Sequence, residues 1–408
     1  MTSRERVWKA INHQEPDMIP IDIGGTKSTG MHADTFCMIG KELGIDAQLP
    51  RVPDVFQMLC RMDEPIRSWT HTDCLQIENF IEYFDLKNHN WIPWTDHAGN
   101  RLLMPEEFKP VPDEKGTLYL YDKQGHICAF MAPDGCYFDR YVDPNYKTSE
   151  NQMSPEEWRR KIPLYDDEEL RVLENTARFM YENTDYSLVG GYAKLKVCTS
   201  GIFAGHTLMD WLCTLMMEPE YAFEILSVTA ERNIENLKLY FQAVEPYIDV
   251  IFVSTTDYGT QRAELFSPEL FKDLYLPTLK KVNDHIHENT NCKTLYHSCG
   301  SIRNIIGYMI EAGVDCLNPI QTNTANMDPA ELKKEFGDKL TFWGGGVETQ
   351  TVYTYGTPEE VEKQVKERID IFGPGGGFIF SPIHNTQNNV PFENICAMRD
   401  TILKYRKY

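Results

Sequence analysis

The spacing of apolar residues changes rhythm twice along this chain. At the start, Val7, Trp8 and Ile11 fall at helical spacing behind Thr2 or Ser3, either of which suits an N-cap. A first helix is predicted there. Pro20-Ile21-Asp22-Ile23-Gly24-Gly25 is a short apolar run that ends in a glycine loop, and it predicts a buried strand. Asp73-Cys74-Leu75-Gln76-Ile77 predicts a second. From about 91 to 145 the rhythm breaks. Turn signals recur at Ala98-Gly99-Asn100, Glu114-Lys115-Gly116, Lys123-Gln124-Gly125 and Pro133-Asp134-Gly135, with short β-prone pieces between them. That pattern predicts a meander of hairpins, rich in Trp and Tyr.

After Ser154-Pro155-Glu156-Glu157, a helix-capping signature, strands and helices alternate. The predicted strands are Leu188-Val189-Gly190-Gly191-Tyr192, Val250-Ile251-Phe252-Val253-Ser254, Thr294-Leu295-Tyr296-His297, Val314-Asp315-Cys316-Leu317-Asn318, Leu340-Thr341-Phe342-Trp343-Gly344 and Gly377-Phe378-Ile379-Phe380-Ser381. With the two near residues 21 and 75, the count is eight. Eight β-then-α units predict an α/β protein of the (β/α)8 TIM-barrel class. The expectation is one domain over residues 1–408, with a β-hairpin insertion after the second strand at about 91–145.

In such a barrel the chemistry sits on the loops that follow the strands. The polar residues there are Asp22, Tyr192, Asp257, Tyr258, Gln261, His297, Cys299, Asn318, Glu348, Gln350, His384, Asn385 and Gln387. His297 and Cys299 stand out. Residues two apart on a strand project to one side, so an imidazole and a thiolate would converge at the end of the fifth strand. That pairing suits zinc, which in catalytic sites takes three protein ligands and keeps one position open. Two residues compete for the third place. Cys316 lies inside its predicted strand, where a core role is the simpler account. His384 lies past Ser381-Pro382, where a loop turns over the barrel mouth, and is preferred.

Composition narrows the function classes. The chain has 408 residues, 42% hydrophobic and 25% charged, and a formal net charge of −21. So acidic a protein is a poor partner for nucleic acid or an anionic membrane. The charged opening Met1-Thr2-Ser3-Arg4-Glu5-Arg6 runs straight into a helix pattern. Together with eleven scattered cysteines, it leads us to expect a cytoplasmic protein with reduced thiols. There is no phosphate-loop motif, no G-x-S-x-G elbow and no C-x-x-C pair. Gly373-Pro374-Gly375-Gly376-Gly377 precedes a strand instead of following one, so it is not a dinucleotide fingerprint.

Several segments together resemble the uroporphyrinogen decarboxylase superfamily. They are Thr2-Ser3-Arg4-Glu5-Arg6-Val7 with Asn12-His13-Gln14-Glu15-Pro16-Asp17; Asp257-Tyr258-Gly259-Thr260-Gln261; His297-Ser298-Cys299-Gly300; Gly313-Val314-Asp315; Phe342-Trp343-Gly344-Gly345-Gly346; and Pro391-Phe392-Glu393-Asn394-Ile395. The resemblance implies a single (β/α)8 barrel. It also implies one of two chemistries. Decarboxylases of this superfamily carry an arginine-rich segment after the first strand, whereas this chain has Gly24-Gly25-Thr26-Lys27-Ser28-Thr29-Gly30. The chain is more similar to the corrinoid-dependent methyltransferases, which bind zinc through an H-x-C motif and a distant cysteine. His384 stands near that cysteine's place. The resemblance therefore implies an O-demethylase-like enzyme. It would move a methyl group from a small donor, foremost an aromatic methyl ether, to the Co(I) of a corrinoid-binding partner protein.

On this reading zinc is held by His297, Cys299 and His384. Asp257 and Glu348 are the candidate catalytic residues. Tyr192, Tyr258, Gln261 and Asn318 are the candidate substrate contacts, and the aromatic insertion would help bury the ring. Family members often dimerise, which makes a homodimer a candidate state. The alternatives are transfer from methylcorrinoid to a thiol or to tetrahydrofolate, decarboxylation of a small acid using Asp22 or Asp257, and a non-catalytic binding barrel.

Overall fold

The structure, a computed structural model, describes residues 1–45, 49–191, 194–195 and 202–408. In chain order its strands are β1 (Cys74–Ile77), β2 (Ile92–Thr95), β3 (Arg101–Met104), β4 (Val111–Pro112), β5 (Leu118–Tyr121), β6 (Ile127–Met131), β7 (Asp139–Arg140), β8 (Ser187–Gly190), β9 (Val250–Thr255), β10 (Lys293–His297), β11 (Cys316–Asn318), β12 (Thr341–Trp343) and β13 (Phe378–Ile379). Seven of them form one curled parallel sheet in the order β1-β8-β9-β10-β11-β12-β13. Helices separate successive members, among them Pro219–Val244, Leu276–Asn289, Arg303–Glu311 and Pro358–Phe372. A parallel pair needs such a crossover, because a tight turn cannot return the chain to the same end.

The expected eighth strand is only partly realised. Residue 21 makes a single parallel bridge, to Phe380. On that side Phe380 N–H donates to the Pro20 carbonyl and Asp22 N–H to the Phe380 carbonyl. On the other side Asp73 N–H reaches the Ile21 carbonyl, but Ile21 N–H donates to the Asp73 carboxylate at 2.9 Å. Pro20 has no N–H to give, and a side chain replaces one rung of the ladder. The same carboxylate accepts from Arg6 Nη1 at 2.6 Å and Ser3 Oγ at 2.6 Å. It thereby ties the helix Ser3–Ile11 to the sheet.

That helix begins with a capping box between Thr2 and Glu5, worth about 1 kcal/mol. Its Val7, Ala10 and Ile11 join Cys74, Val189, Val250, Phe252, Leu295, Cys316, Trp343 and Ile379 in one buried cluster inside the curl of the sheet. Trp8, expected on the same face, is 39% exposed. The helix sits where the strands begin, since Gly377 N–H and Thr341 Oγ1 donate to the Ala10 and Ile11 carbonyls. The end where β10 stops is left for chemistry. Along β10, Leu295 faces inward while Tyr296 faces the helices, where its hydroxyl donates to Asn283 Oδ1 at 3.0 Å.

The meander is present as a two-stranded sheet, β2-β3, and a four-stranded one, β4-β5-β6-β7. Gly99, Gly116 and Gly125 take φ of +86°, +87° and +84° at its turns, where a side chain would be strained. Its rings pack on one another and on neighbouring segments. Trp94 meets Phe108, and Phe108 meets Phe138, both edge to face. Among the described residues, no helix is long and apolar enough to cross a membrane.

Candidate metal centre

β10 delivers His297 to its end facing inward, and the register pairs it with Asn318 of β11. The Asn318 side chain is fully buried and does two jobs. Its Nδ2 donates to the Trp343 carbonyl at 2.9 Å, which leaves Oδ1 as acceptor for His297 Nδ1–H at 2.7 Å. That bond fixes the tautomer: the proton is on Nδ1 and the lone pair on Nε2. Cys299 Sγ lies 3.3 Å from this Nε2.

The turn that carries Cys299 is built against the loop after β9. Cys299 N–H donates to Asp257 Oδ1 at 2.8 Å, Tyr258 N–H to Ser298 Oγ at 2.9 Å, and Ser301 N–H to the Thr260 carbonyl at 2.8 Å. Gly300 makes this approach feasible. Its φ is +95°, and a Cβ there would come within 2.3 Å of the Gly259 carbonyl carbon. Asp257 Oδ1 also stands 3.6 Å from His297 Nε2.

His384 arrives from the far end of the chain, five residues past β13. It is held by its neighbours. Ile383 N–H donates to the Val347 carbonyl, and Thr386 N–H to the Gly30 carbonyl. Asn385, fully buried, accepts from Gly30 N–H at 2.6 Å and donates to the Lys27 carbonyl and Gln57 Oε1, each at 2.9 Å. The two imidazoles meet edge to face with centroids 5.4 Å apart. The ligand atoms of His297, Cys299 and His384 all lie within 4.8 Å of one another.

These residues fit a zinc ion. Ligand bonds of about 2.0–2.3 Å in a tetrahedron put a nitrogen and a sulfur about 3.6 Å apart, close to the observed 3.3 Å. Burial and the neighbouring His297 push the His384 imidazole down to about 4. It is therefore neutral at physiological pH, as a metal ligand must be. Burial and Asp257 push the Cys299 thiol well up, so a bound cation would have to displace its proton. Cys316 plays no part in the cluster. It pairs with Leu295, one inward layer below His297.

A cavity of about 290 Å³ opens beside the triad. Cys299, His384 and Gln261 line it, together with Gln350, Gln321 and Thr349. The other expected residues fall elsewhere. Tyr258 is buried, with its ring against Phe266, Phe271 and Tyr275. Asn318 stands behind His297. Glu348 does not line the cavity; it faces Arg368 at 3.5 Å and accepts from Thr351 Oγ1 at 2.9 Å. Tyr192 lies outside the described residues. Asp22 is fully buried; it accepts from Trp343 Nε1, Gly25 N–H and Thr29 Oγ1 at 2.7, 2.7 and 2.9 Å. Sequence reasoning missed Gln321. Its place three residues past Asn318, in the same loop, was the available signal.

The family model described as Uroporphyrinogen decarboxylase (URO-D) matches residues 197–405, slightly more than half of the chain. The chain belongs to the URO-D family. A curated relative, the uroporphyrinogen decarboxylase of Mannheimia succiniciproducens, is 24% identical over 301 residues, 71% of this chain and 77% of the relative. Among solved structures, a methyltransferase from Methanosarcina mazei aligns over 99% of both chains with a TM-score of 0.58 and 14% identity. That likeness is one of fold, and it also covers the stretch before residue 197, which the family model does not match.

Proposed function

We propose that this chain is a zinc-dependent methyltransferase that passes a methyl group from a small methylated donor to the Co(I) of a corrinoid protein. The observation that carries the reading is the convergence of His297, Cys299 and His384 at one end of the curled sheet. On this reading the segment around Ile21 is the eighth stave. Its hydrogen bonds to Phe380 and to Asp73 support a closed (β/α)8 barrel.

His297, Cys299 and His384 would hold the zinc. When bound, it supplies a Lewis acid that stabilises negative charge on the donor's leaving atom. Asn318 keeps the His297 lone pair aimed inward, and Asp257 holds the Cys299 turn through its main-chain N–H. Overall, the bond from the methyl carbon to its heteroatom breaks. The electron pair of Co(I) forms the new carbon–cobalt bond, Co(I) becomes Co(III), and the leaving atom keeps the other pair and takes up a proton.

The decarboxylase reading draws support from the curated relative. It finds no Lys or Arg among the described residues lining the triad's cavity; Lys27 and Arg61 line a separate cavity but pair with Glu82 and Glu78, and Asp22 is sealed. Transfer to a thiol is less supported, since the triad contributes a single sulfur. The test is metal content and direction of transfer. About one zinc per chain, lost in His297→Ala and Cys299→Ser, is expected, along with conversion of Co(I) to methyl-Co(III) in a corrinoid protein. Full transfer activity without metal, or reaction only from methyl-Co(III) to a thiol, overturns the proposal.

A further inference from the structure

The helix Leu208–Met217 carries an exposed apolar face. We propose that a second copy of this chain covers it, the two helices packing antiparallel about a two-fold axis.

One side of the helix is anchored. Trp211, Thr214 and Leu215 are buried, and Trp211 Nε1 donates to the Tyr275 hydroxyl at 3.0 Å. The other side is Leu208, Met209, Leu212, Cys213, Met216 and Met217, whose three- and four-residue spacings make one continuous stripe. Met209, Met216 and Met217 are 70%, 76% and 79% exposed. Asp210 is the one charged residue of the helix. Its carboxylate accepts from Thr207 Oγ1 at 2.6 Å and also from Thr148 Oγ1, so the stripe itself is uncharged.

The area suits a stable pair. At about 150–250 Å² for a large side chain, the three methionines alone present on the order of 400 Å². That is half of the roughly 800 Å² that each partner gives to a standard interface. Methionine is also enriched at such surfaces, because its flexible side chain adapts to a facing one.

Symmetry and charge select a second copy as the occupant. The stripe reads the same from both ends about the midpoint between Leu212 and Cys213. An antiparallel copy therefore sets Leu208 against the partner's Met217, Met209 against the partner's Met216 and Leu212 against the partner's Cys213. A two-fold interface requires such self-complementarity. The chain carries −21, so two copies can approach closely only through an uncharged face, whereas a basic protein would be drawn to the acidic surface elsewhere. Exposed Glu218 and Glu220 follow the helix directly. The antiparallel arrangement separates them from their counterparts by about one helix length, roughly 15 Å, beyond the screening length of about 8 Å in physiological salt.

The experiment uses the zinc-loaded full-length chain. Light scattering and sedimentation velocity should give twice the 47.2 kDa of one chain, with a dissociation constant at or below about 10 μM. Binding should tighten as salt rises, because salt screens the repulsion between two acidic chains. A short bismaleimide should join two copies through Cys213, the exposed one among the described cysteines, and should fail with Cys213→Ser. Met209→Glu combined with Met216→Glu sets carboxylate against carboxylate across the axis; Met209→Lys combined with Met216→Glu sets opposite charges together. The first pair should dimerise at least about tenfold more weakly than the second, with thermal midpoint and zinc content alike in both. A merely structural role for these positions would not depend on which charge faces which. A monomer at about 100 μM overturns the proposal and leaves the face to a different protein. Equal dimerisation of the two double variants, or a dimer that Cys213 does not crosslink, overturns it as well.

Discussion

Replacing Asn318 by Ala should loosen the metal centre from behind, without touching a ligand. In the wild type its Oδ1 accepts from His297 Nδ1–H at 2.7 Å and its Nδ2 donates to the Trp343 carbonyl at 2.9 Å. The side chain is fully buried, so no water replaces it freely. Each group left unpaired costs about 1–3 kcal/mol, and unfolding free energy should fall by about 2–5 kcal/mol. The zinc effect is separate. A histidine ligand that loses the partner of its second nitrogen typically loses about 10–100-fold in metal affinity, or about 1.4–2.7 kcal/mol. Competition against a chromophoric chelator, run well below the variant's unfolding midpoint, reads the affinity; urea unfolding reads the stability. Asn318→Asp is the control. It keeps an acceptor for Nδ1–H and loses only the donor to Trp343, so it should lose stability yet bind zinc at least as well as the wild type. Zinc affinity of Asn318→Ala within twofold of the wild type would refute the reasoning, as would equal losses in both variants.

Three further outcomes are expected. Burial raises the Asp22 carboxyl from 3.8 to about 6 despite three hydrogen bonds. Between about pH 4 and 6 the folded state therefore binds more protons than the unfolded one, and stability falls as pH rises, by about 3 kcal/mol in total from this group; Asp22→Asn should abolish that slope in denaturant titrations, and an unchanged slope counts against the assignment. Cys316→Ala should keep one zinc per chain while His384→Ala loses it, and the opposite result in metal analysis would reverse the choice of third ligand. Gly300→Ala should cost more than about 3 kcal/mol and weaken zinc, because Gly259 is 2.3 Å from the added carbon at a φ of +95°; a thermal midpoint matching the wild type would show that the two turns separate easily.

Local chemistry made much of this protein legible. The capping signals at Thr2 and Ser154 mark real helix starts, because a cap and its partner lie within one turn. The hairpins of the meander were readable from glycines that take the conformations their turns demand. His297 and Cys299 could be placed on one side, because alternation along an extended chain needs only two residues of context.

What lay between distant segments was not readable. Trp8 sits at core spacing but stays 39% exposed, since amphipathic period alone does not say how wide the buried stripe is. The aromatic residues of the meander suggested a pocket for a ring; Trp94, Phe108 and Phe138 pack on one another, while Trp91 lines a cavity of about 460 Å³. Glu348 fell at a strand end yet turned to Arg368.

By itself the sequence determined the β-then-α rhythm, the caps and the shared direction of an imidazole and a thiol, because each depends on periodicity over a few residues. Only the tertiary structure decided that His384 and not Cys316 completes the cluster, that Asn318 stands behind His297, and that glutamine amides border the cavity. Those facts depend on loops from separate strand ends meeting across the mouth, with hydrogen bonds from Gly30, Lys27 and Gln57 holding Asn385 in place, and no local pattern encodes that meeting.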